Sequence, residues 1–382
     1  MSTTTSPRQK ADAPADEKPP KEREWAPRFW DGMDFFGWMR LLIRNRFAVD
    51  RRYLYIAVFI TFASAFHTFM KCWQFVERGW FLRKAKIEQP PVFILGHWRS
   101  GTTFLHELLV RDERHTFPTT YQCFVPNHFV MSEWFASRFL KFLLPARRPM
   151  DNMPAGWDRP QEDEWALCNL GVPSPYLTVA FPNHSPQYPE YLTLEGVPPQ
   201  ELKRWKKALH RFLRQVTYRK PGRMILKSPT HTCRIRVLLE MFPDARFVHI
   251  VRDPRTSLTS TLSLWKRLYE RQSLQKPTYE GLEHHVFDNF ERMYDRFEAD
   301  RHLIAPGRLC ELRYEDLVRE PLAQVEKIYR QLDLGDFEPA RPEVEQYLTE
   351  VADYQTNRHE VPAEFRREIA NRCRVFMRRY GY

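Results

Sequence analysis

The stretch that most constrains this 382-residue chain is Pro91-Val92-Phe93-Ile94-Leu95-Gly96, followed at once by His97-Trp98-Arg99-Ser100-Gly101-Thr102-Thr103. The run from Val92 to Leu95 suits a short buried strand, and Phe104, Leu105, Leu108 and Leu109 then recur at helical spacing. Strand, tight loop and helix aim the first-turn N–H groups of the helix at the loop, where the helix dipole adds to their attraction for an anion. Gly96 and Gly101 have the spacing of a phosphate-binding loop. Thr102, however, stands where that loop has lysine, and the cation sits inside the loop at Arg99. An ordinary strand-to-helix turn also uses Gly and Ser-Gly; the coincidence of a basic residue with two hydroxyls favours the anion site.

Three further strand-to-helix units follow. Residues 224–226 lead into Lys227-Ser228-Pro229-Thr230-His231 and a helix through Leu238 and Leu239, with Ser228 before Pro229 in the order of a helix cap and first position. Residues 247–251 lead into Arg252-Asp253-Pro254-Arg255 and a helix carrying Ser257, Leu258, Ser260 and Leu264. Residues 309–312 lead into Arg313 to Leu317 and another helical pattern, through Val325, Ile328 and Leu332, that Gly335 closes. Strands alternating with helices predict an α/β chain with a central parallel sheet flanked by helices. Ligands bind such sheets at the carboxyl ends of the strands, so residues 96–103, 227–231 and 252–260 are expected around one crevice. Arg99, Lys227 and Arg252 would then converge on an anion with more than one phosphate-like group.

The acids nearest this set in type are Glu162 and Glu164, after Asp158-Arg159-Pro160. Asp158 as a cap and Pro160 in the first turn would make both glutamates favourable dipole partners of a helix, which is the structural alternative to a catalytic role. Residues 115–153 read as irregular, and the proline-rich aromatic segment 169–191 suits an acceptor-binding lid. Leu202, Trp205, Leu209, Phe212 and Val216 mark an amphipathic helix with a basic opposite face.

Ahead of this domain, residues 1–25 have the composition of a disordered tail without a signal peptide, and residues 26–88 form an aromatic and basic helical extension. The apolar run from Tyr53 to Met70 is near the lower limit for crossing a bilayer and has Thr61, Ser64, His67 and Thr68 within it. A membrane-spanning helix, an interfacial helix held by aromatic and basic flanks, and a helix packed on the main domain all fit it, and its shortness and polar set are those of a buried core helix. A net charge of +11 is compatible with an anionic ligand, nucleic acid or a membrane surface. The basic residues are dispersed or sit at strand ends and no aromatic strand platform accompanies them, which argues against nucleic acid. Six scattered cysteines without metal or redox spacing read as reduced, mostly buried thiols. A cytoplasmic location, peripheral at or anchored in a membrane, is the expectation.

Taken together, residues 89–382 resemble the sulfotransferase superfamily, in its single-domain members with a Gly-x-x-Arg-Ser-Gly-Thr-Thr loop. The resemblance implies a fold related to P-loop kinases and a nucleotide sulfate donor, 3′-phosphoadenosine 5′-phosphosulfate, with no metal. It implies that Arg99, Ser100, Gly101, Thr102 and Thr103 contact the 5′-phosphosulfate, and that Arg252 and Ser260, eight residues apart, hold the 3′-phosphate. Lys227 is similar to the lysine of a Lys-Thr-His strand end, although here Pro229 stands third and the nearest histidine is His231. The base that takes a proton from a hydroxyl or amine acceptor is then Glu162, Glu164, His231 or His106, with Glu162 first. The basic, glycine-containing donor loop of the cytosolic branch is not evident, and Asn357-Arg358-His359, which does not match it residue by residue, is the candidate in its place. The rivals are a small-metabolite kinase using ATP and Mg²⁺, and a non-enzymatic basic protein binding membrane or nucleic acid. The acceptor, a small molecule, lipid or glycan, and the oligomeric state are not legible.

Overall fold

The computed structural model describes residues 27–139, 156–352 and 362–382. At its centre lies a parallel sheet of β1 (Val92–Leu95), β2 (His115–Thr116), β3 (Arg223–Lys227), β4 (Arg246–Val251) and β5 (Leu309–Arg313), in spatial order β2-β3-β1-β4-β5. All four residues of β1 are buried, because both faces of the strand are covered and a continuous apolar run is what such a strand requires. Val92 lies opposite Ile225 on one side and Arg246 on the other. The chain thus moves outward in opposite directions from β1, and the carboxyl ends of β1, β3 and β4 border a single crevice.

Successive residues of β1 face opposite layers. Val92 and Ile94 pack with Leu105, Leu108, Ile225, Val248, Ile250 and Ile328. Phe93 and Leu95 enter a larger aromatic core with Phe247, Phe242 and Phe290. The first layer is built by α3 (Thr102–Leu109), by α11 (Tyr314–Arg319) and α12 (Pro321–Leu332) after β5, and by α13 (Arg341–Glu350). The second contains α7 (Pro199–Arg219), α8 (Ile235–Met241), α9 (Pro254–Gln272), α10 (Leu282–Asp300), α14 (Ala363–Arg372) and α15 (Arg374–Tyr380).

The extension shares that second core. Phe29, Trp30, Trp38 and Leu41 are buried in it, with Trp30 stacked on Trp38 at 5.8 Å and its indole N–H donating to the Gln272 carbonyl at 3.1 Å. Asp34 caps α1 (Phe35–Arg44) by accepting from the Gly37 amide. After it comes α2 (Leu54–Lys84), whose 31 residues far exceed the apolar run of the sequence, and whose large apolar side chains mostly face outward. The core-helix expectation for Tyr53 to Met70 is therefore corrected: only one side of α2, with Ile56, Ile60, Ser64 and Gln74 buried along it, packs on the protein.

Two loop expectations also change. Residues 115–139 are ordered as β2, α4 (Thr120–Phe124) and α5 (Phe129–Phe139), because a capping box between Thr119 and Gln122 starts α4. In residues 169–191, expected as a lid, Ser174-Pro175 and Tyr188-Pro189 set 3₁₀ turns that sink Leu177, Val179, Phe181 and Tyr191 into the core. That segment is a fixed wall. All six cysteines are free thiols, and Cys72 alone is exposed.

Candidate active site

Between β1 and α3 the loop makes two left-handed turns. Arg99 has φ 65° and Gly101 has φ 98°. A Cβ on Gly101 would lie 2.2 Å from the Tyr314 ring, so glycine is needed both for the backbone angle and for that approach. The strained Arg99 is held from two sides. Its carbonyl accepts from Arg252 Nη1 at 3.0 Å, and the next amide, Ser100, donates to the His97 carbonyl at 3.2 Å. At the other end Thr232 accepts from the Gly96 amide and donates to its carbonyl, which ties the loop to the turn after β3. The N-terminus of α3 has no side-chain cap, so its first-turn amides are left facing the loop.

Two groups of polar side chains border this cradle. In the first, Arg99 Nε donates to Ser260 Oγ at 2.8 Å, and the Arg252 guanidinium lies 4.1 Å over the Tyr314 ring. In the second, Lys227 Nζ donates to Glu162 Oε1 at 2.7 Å and to Thr103 Oγ1 at 3.4 Å. The crevice expected from the strand order is present, but its cations are divided: Arg99 joins Ser260 and Arg252, while Lys227 reaches the loop through Thr103.

The helix expected from Asp158 begins later, at Asp163, as α6 (Asp163–Asn169). Glu162 occupies its cap position with extended backbone, yet its side chain makes no capping bond. Instead Ser228 Oγ accepts from the Glu164 amide at 3.0 Å, and this cap from another segment leaves the Glu162 carboxylate to turn toward Lys227. Its other oxygen accepts from Tyr176 Oη at 2.7 Å, and the Trp98 indole N–H donates to that hydroxyl at 3.0 Å. Burial, then the Glu162 charge, push the Tyr176 hydroxyl well above its ordinary range and keep it a neutral donor. Phe29 and Trp265 complete an aromatic wall against Tyr176 and Trp98.

The remaining base candidates lie elsewhere. Glu164 is wholly buried, where Arg234 grips both of its oxygens and Ser174 and Thr230 donate to it at 2.5 and 3.1 Å. Its acid was legible, but its partner, 70 residues away in sequence, was not. His231 is equally buried, with Nε2 2.7 Å from Asp163 Oδ2. Burial alone would raise the Asp163 carboxyl; His231, together with the Ser228 hydroxyl donating at 2.9 Å, holds it below the usual range. His106 is buried on the sheet-facing side of α3, where desolvation and then Lys227 push its imidazole down to about 3. The side chain of Glu162 keeps 13% of its surface accessible, whereas those of Glu164 and His231 keep none. Trp98 lies inside the loop motif but at a position given no role, and the nearest signal for Tyr176 is the aromatic richness of residues 169–191. Asn357-Arg358-His359 lies outside the described residues.

A sulfotransferase family model matches residues 90–339. The omega-hydroxy-beta-dihydromenaquinone-9 sulfotransferases of Mycobacterium bovis and Mycobacterium tuberculosis are 49% identical over 360 residues, covering 94% of this chain and 92% of theirs. In structure the chain is similar to a sulfotransferase from Mycobacterium avium, with TM-score 0.63, 19% identity and coverage of 81% of this chain and 80% of that one. It is also similar to a sulfotransferase from Mycobacterium tuberculosis, with TM-score 0.60, 17% identity and coverage of 91% and 93%.

Proposed function

Because this chain belongs to the sulfotransferase family, we propose that it moves the sulfuryl group of 3′-phosphoadenosine 5′-phosphosulfate to the hydroxyl of a lipophilic acceptor, an omega-hydroxylated isoprenoid quinone. Sulfuryl transfer, like phosphoryl transfer, has a loose transition state that depends on in-line alignment and on cations placed around the transferring oxygens. The uncapped first turn of α3 and the hydroxyls of Ser100, Thr102 and Thr103 supply a cradle of the right kind for the phosphosulfate. Arg252 and Ser260 supply the cluster for the 3′-phosphate, and Arg99, which the resemblance puts on the 5′-phosphosulfate, joins them here through its bond to Ser260.

In this reading Lys227 stabilises charge on the phosphate oxygen from which sulfur departs. The acceptor oxygen forms its bond to sulfur as the bond from sulfur to the 5′-phosphate breaks, and the acceptor proton passes to Glu162. The observation that carries the reading is the bridge made by Lys227, a single cation bonded both to the loop, at Thr103, and to a carboxylate that solvent still reaches. Trp98, Tyr176, Phe29 and Trp265 support an apolar acceptor beside that carboxylate. The acceptor class follows the 49%-identical relatives, whose activity is named for an omega-hydroxy-beta-dihydromenaquinone.

The test is purified protein with ³⁵S-labelled donor and three acceptors: an omega-hydroxylated menaquinone, a simple phenol and an acidic oligosaccharide. Label in the menaquinone alone supports the proposal. Transfer to the phenol or glycan with none to the menaquinone overturns the acceptor, and transfer of label from γ-labelled ATP in place of the sulfate donor overturns the donor.

A further inference from the structure

The outward face of α2 carries Tyr55, Phe59, Phe62, Phe66, Phe69, Trp73, Val76 and Trp80, each at least 46% exposed and reaching 82% at Val76. Their spacing alternates between three and four residues, so they form one continuous stripe along the helix. Only 17% of the most apolar window of α2 is buried. The neighbouring α1 adds Phe36 and Ile43, which are exposed and seven residues apart on one helical face. Soluble monomers rarely leave so much contiguous apolar surface uncovered.

The charge around the stripe identifies what covers it. Arg51 and Arg52 stand exposed at its start, and Arg78, Arg83, Lys84 and Lys86 at its end, with Arg40, Arg44 and Arg46 on and after α1. Between Tyr53 and Lys86 the only acid is Glu77, which accepts from the Trp73 indole at 2.8 Å. Several of these cations lie against aromatic rings, Arg52 over Tyr53 at 4.9 Å, Arg83 over Phe75 at 5.3 Å and Lys84 over Trp80 at 4.4 Å, with the stems along the apolar surface. An aromatic stripe between cationic ends matches a surface whose interior is hydrocarbon and whose headgroups are anionic.

The inner face of α2 excludes a crossing orientation. Thr61 accepts from the Trp38 indole, Thr68 from the Phe35 amide, Lys71 pairs with Asp34, Gln74 donates to the Asn127 carbonyl, and Arg214 donates to the Leu82 and Ala85 carbonyls. These ties run from residue 61 to 85, about 36 Å at 1.5 Å per residue. A spanning helix would carry them, and the protein attached to them, into hydrocarbon. We propose that the α1–α2 face docks this enzyme onto an anionic lipid bilayer, with α2 lying in the plane of the headgroups and its aromatic stripe inserted. The proposal rests on this face alone and is independent of donor and acceptor.

Co-sedimentation with large vesicles of phosphatidylcholine, with and without phosphatidylglycerol, tests it. Full-length protein should pellet with the anionic vesicles and be released by high salt, and the exposed-site double variant F62D/F69D should lose about tenfold or more in partitioning. Its melting temperature and its affinity for 3′-phosphoadenosine 5′-phosphate should stay at the parent values, which separates lost docking from lost fold. Depth is read by quenching of a probe at Tyr55→Cys, Phe62→Cys or Val76→Cys in a Cys72→Ser background. An in-plane helix puts all three at one shallow depth, about 5–10 Å into the headgroup boundary. Wild-type protein left in the supernatant with both vesicle types overturns the proposal, as does F62D/F69D binding unchanged. A midpoint probe deeper than both ends overturns the in-plane orientation. A wild-type dimer that F62D/F69D splits, with no vesicle binding, assigns the stripe to a second copy instead.

Discussion

Exchanging Glu162 for glutamine keeps the side-chain shape and one carbonyl oxygen to accept from Lys227 or Tyr176, but removes the charge and the proton acceptor. If Glu162 is the base, turnover should fall by roughly 10² to 10⁴, about 2.7 to 5.4 kcal/mol on the barrier. Stability should fall less, by about 1–3 kcal/mol, because the carboxylate's bonds from Lys227 and Tyr176 are reduced to one amide oxygen that accepts from either, at a site that water still reaches. Affinity for the donor should hold or rise, since Lys227 loses its competing carboxylate and the anionic donor replaces it. Glu164→Gln, two residues on, has the opposite profile. Arg234 is fully buried and would keep its bonds to the Leu192 and Tyr191 carbonyls while losing its countercharge. Breaking such a pair costs about 3–5 kcal/mol of stability. Single-turnover rates with labelled donor, calorimetric affinity for 3′-phosphoadenosine 5′-phosphate and urea midpoints, measured on both variants, separate the two roles. Glu162→Gln turnover within a few-fold of the parent would refute the assignment. So would a rate loss that tracks the folded fraction as closely as it does in Glu164→Gln.

The other predictions use the same geometry. Arg252→Ala should weaken 3′-phosphoadenosine 5′-phosphate far more than adenosine 5′-monophosphate, and equal losses in calorimetry would show that Arg252 acts only by holding the Arg99 carbonyl. Gly101→Ala forces a left-handed Ala costing about 1–2 kcal/mol and pushes on the Tyr314 ring beneath Arg252, so donor affinity should drop roughly tenfold or more; unchanged affinity would refute the close fit. His106 is depressed in the folded protein to about 3, mainly by burial. Its contribution to stability is therefore full above the unfolded value, about 6.5, and is lost as pH falls from there toward 3. Thermal unfolding of His106→Leu should show a shallower decline over that range than the parent, and parallel curves would refute the linkage.

What was legible in the sequence is what depends on neighbours along the chain. The run Val92 to Leu95 bounded by Pro91 and Gly96 is sufficient for a buried strand, and Asp253-Pro254 for a helix start; both stand where they were read. From the order of strands and loops Arg99, Lys227 and Arg252 are expected to converge; Arg99 and Arg252 meet, beside the Ser260 that the resemblance pairs with Arg252, whereas Lys227 bonds to Thr103 and Glu162. The two-residue β2 escaped notice because His115–Thr116 has no pattern of its own and is a strand only by pairing with Arg223 and Met224. Glu162 and Glu164 show the limit more sharply. Read locally, both are first-turn acids of one helix. What separates them is partners 65 and 70 residues downstream, Lys227 and Arg234, and a cap donated from Ser228 in place of Asp158. The α2 stripe lay within reach of periodicity, since Phe59, Phe62, Phe66 and Phe69 follow one another at steps of three and four residues in the sequence. Periodicity alone does not say which face of a helix the protein covers. Here Thr61, Thr68, Lys71 and Gln74 take the inner face because their hydrogen bonds have partners on α1 and at the start of α5, and the aromatic side chains are left outside by that choice.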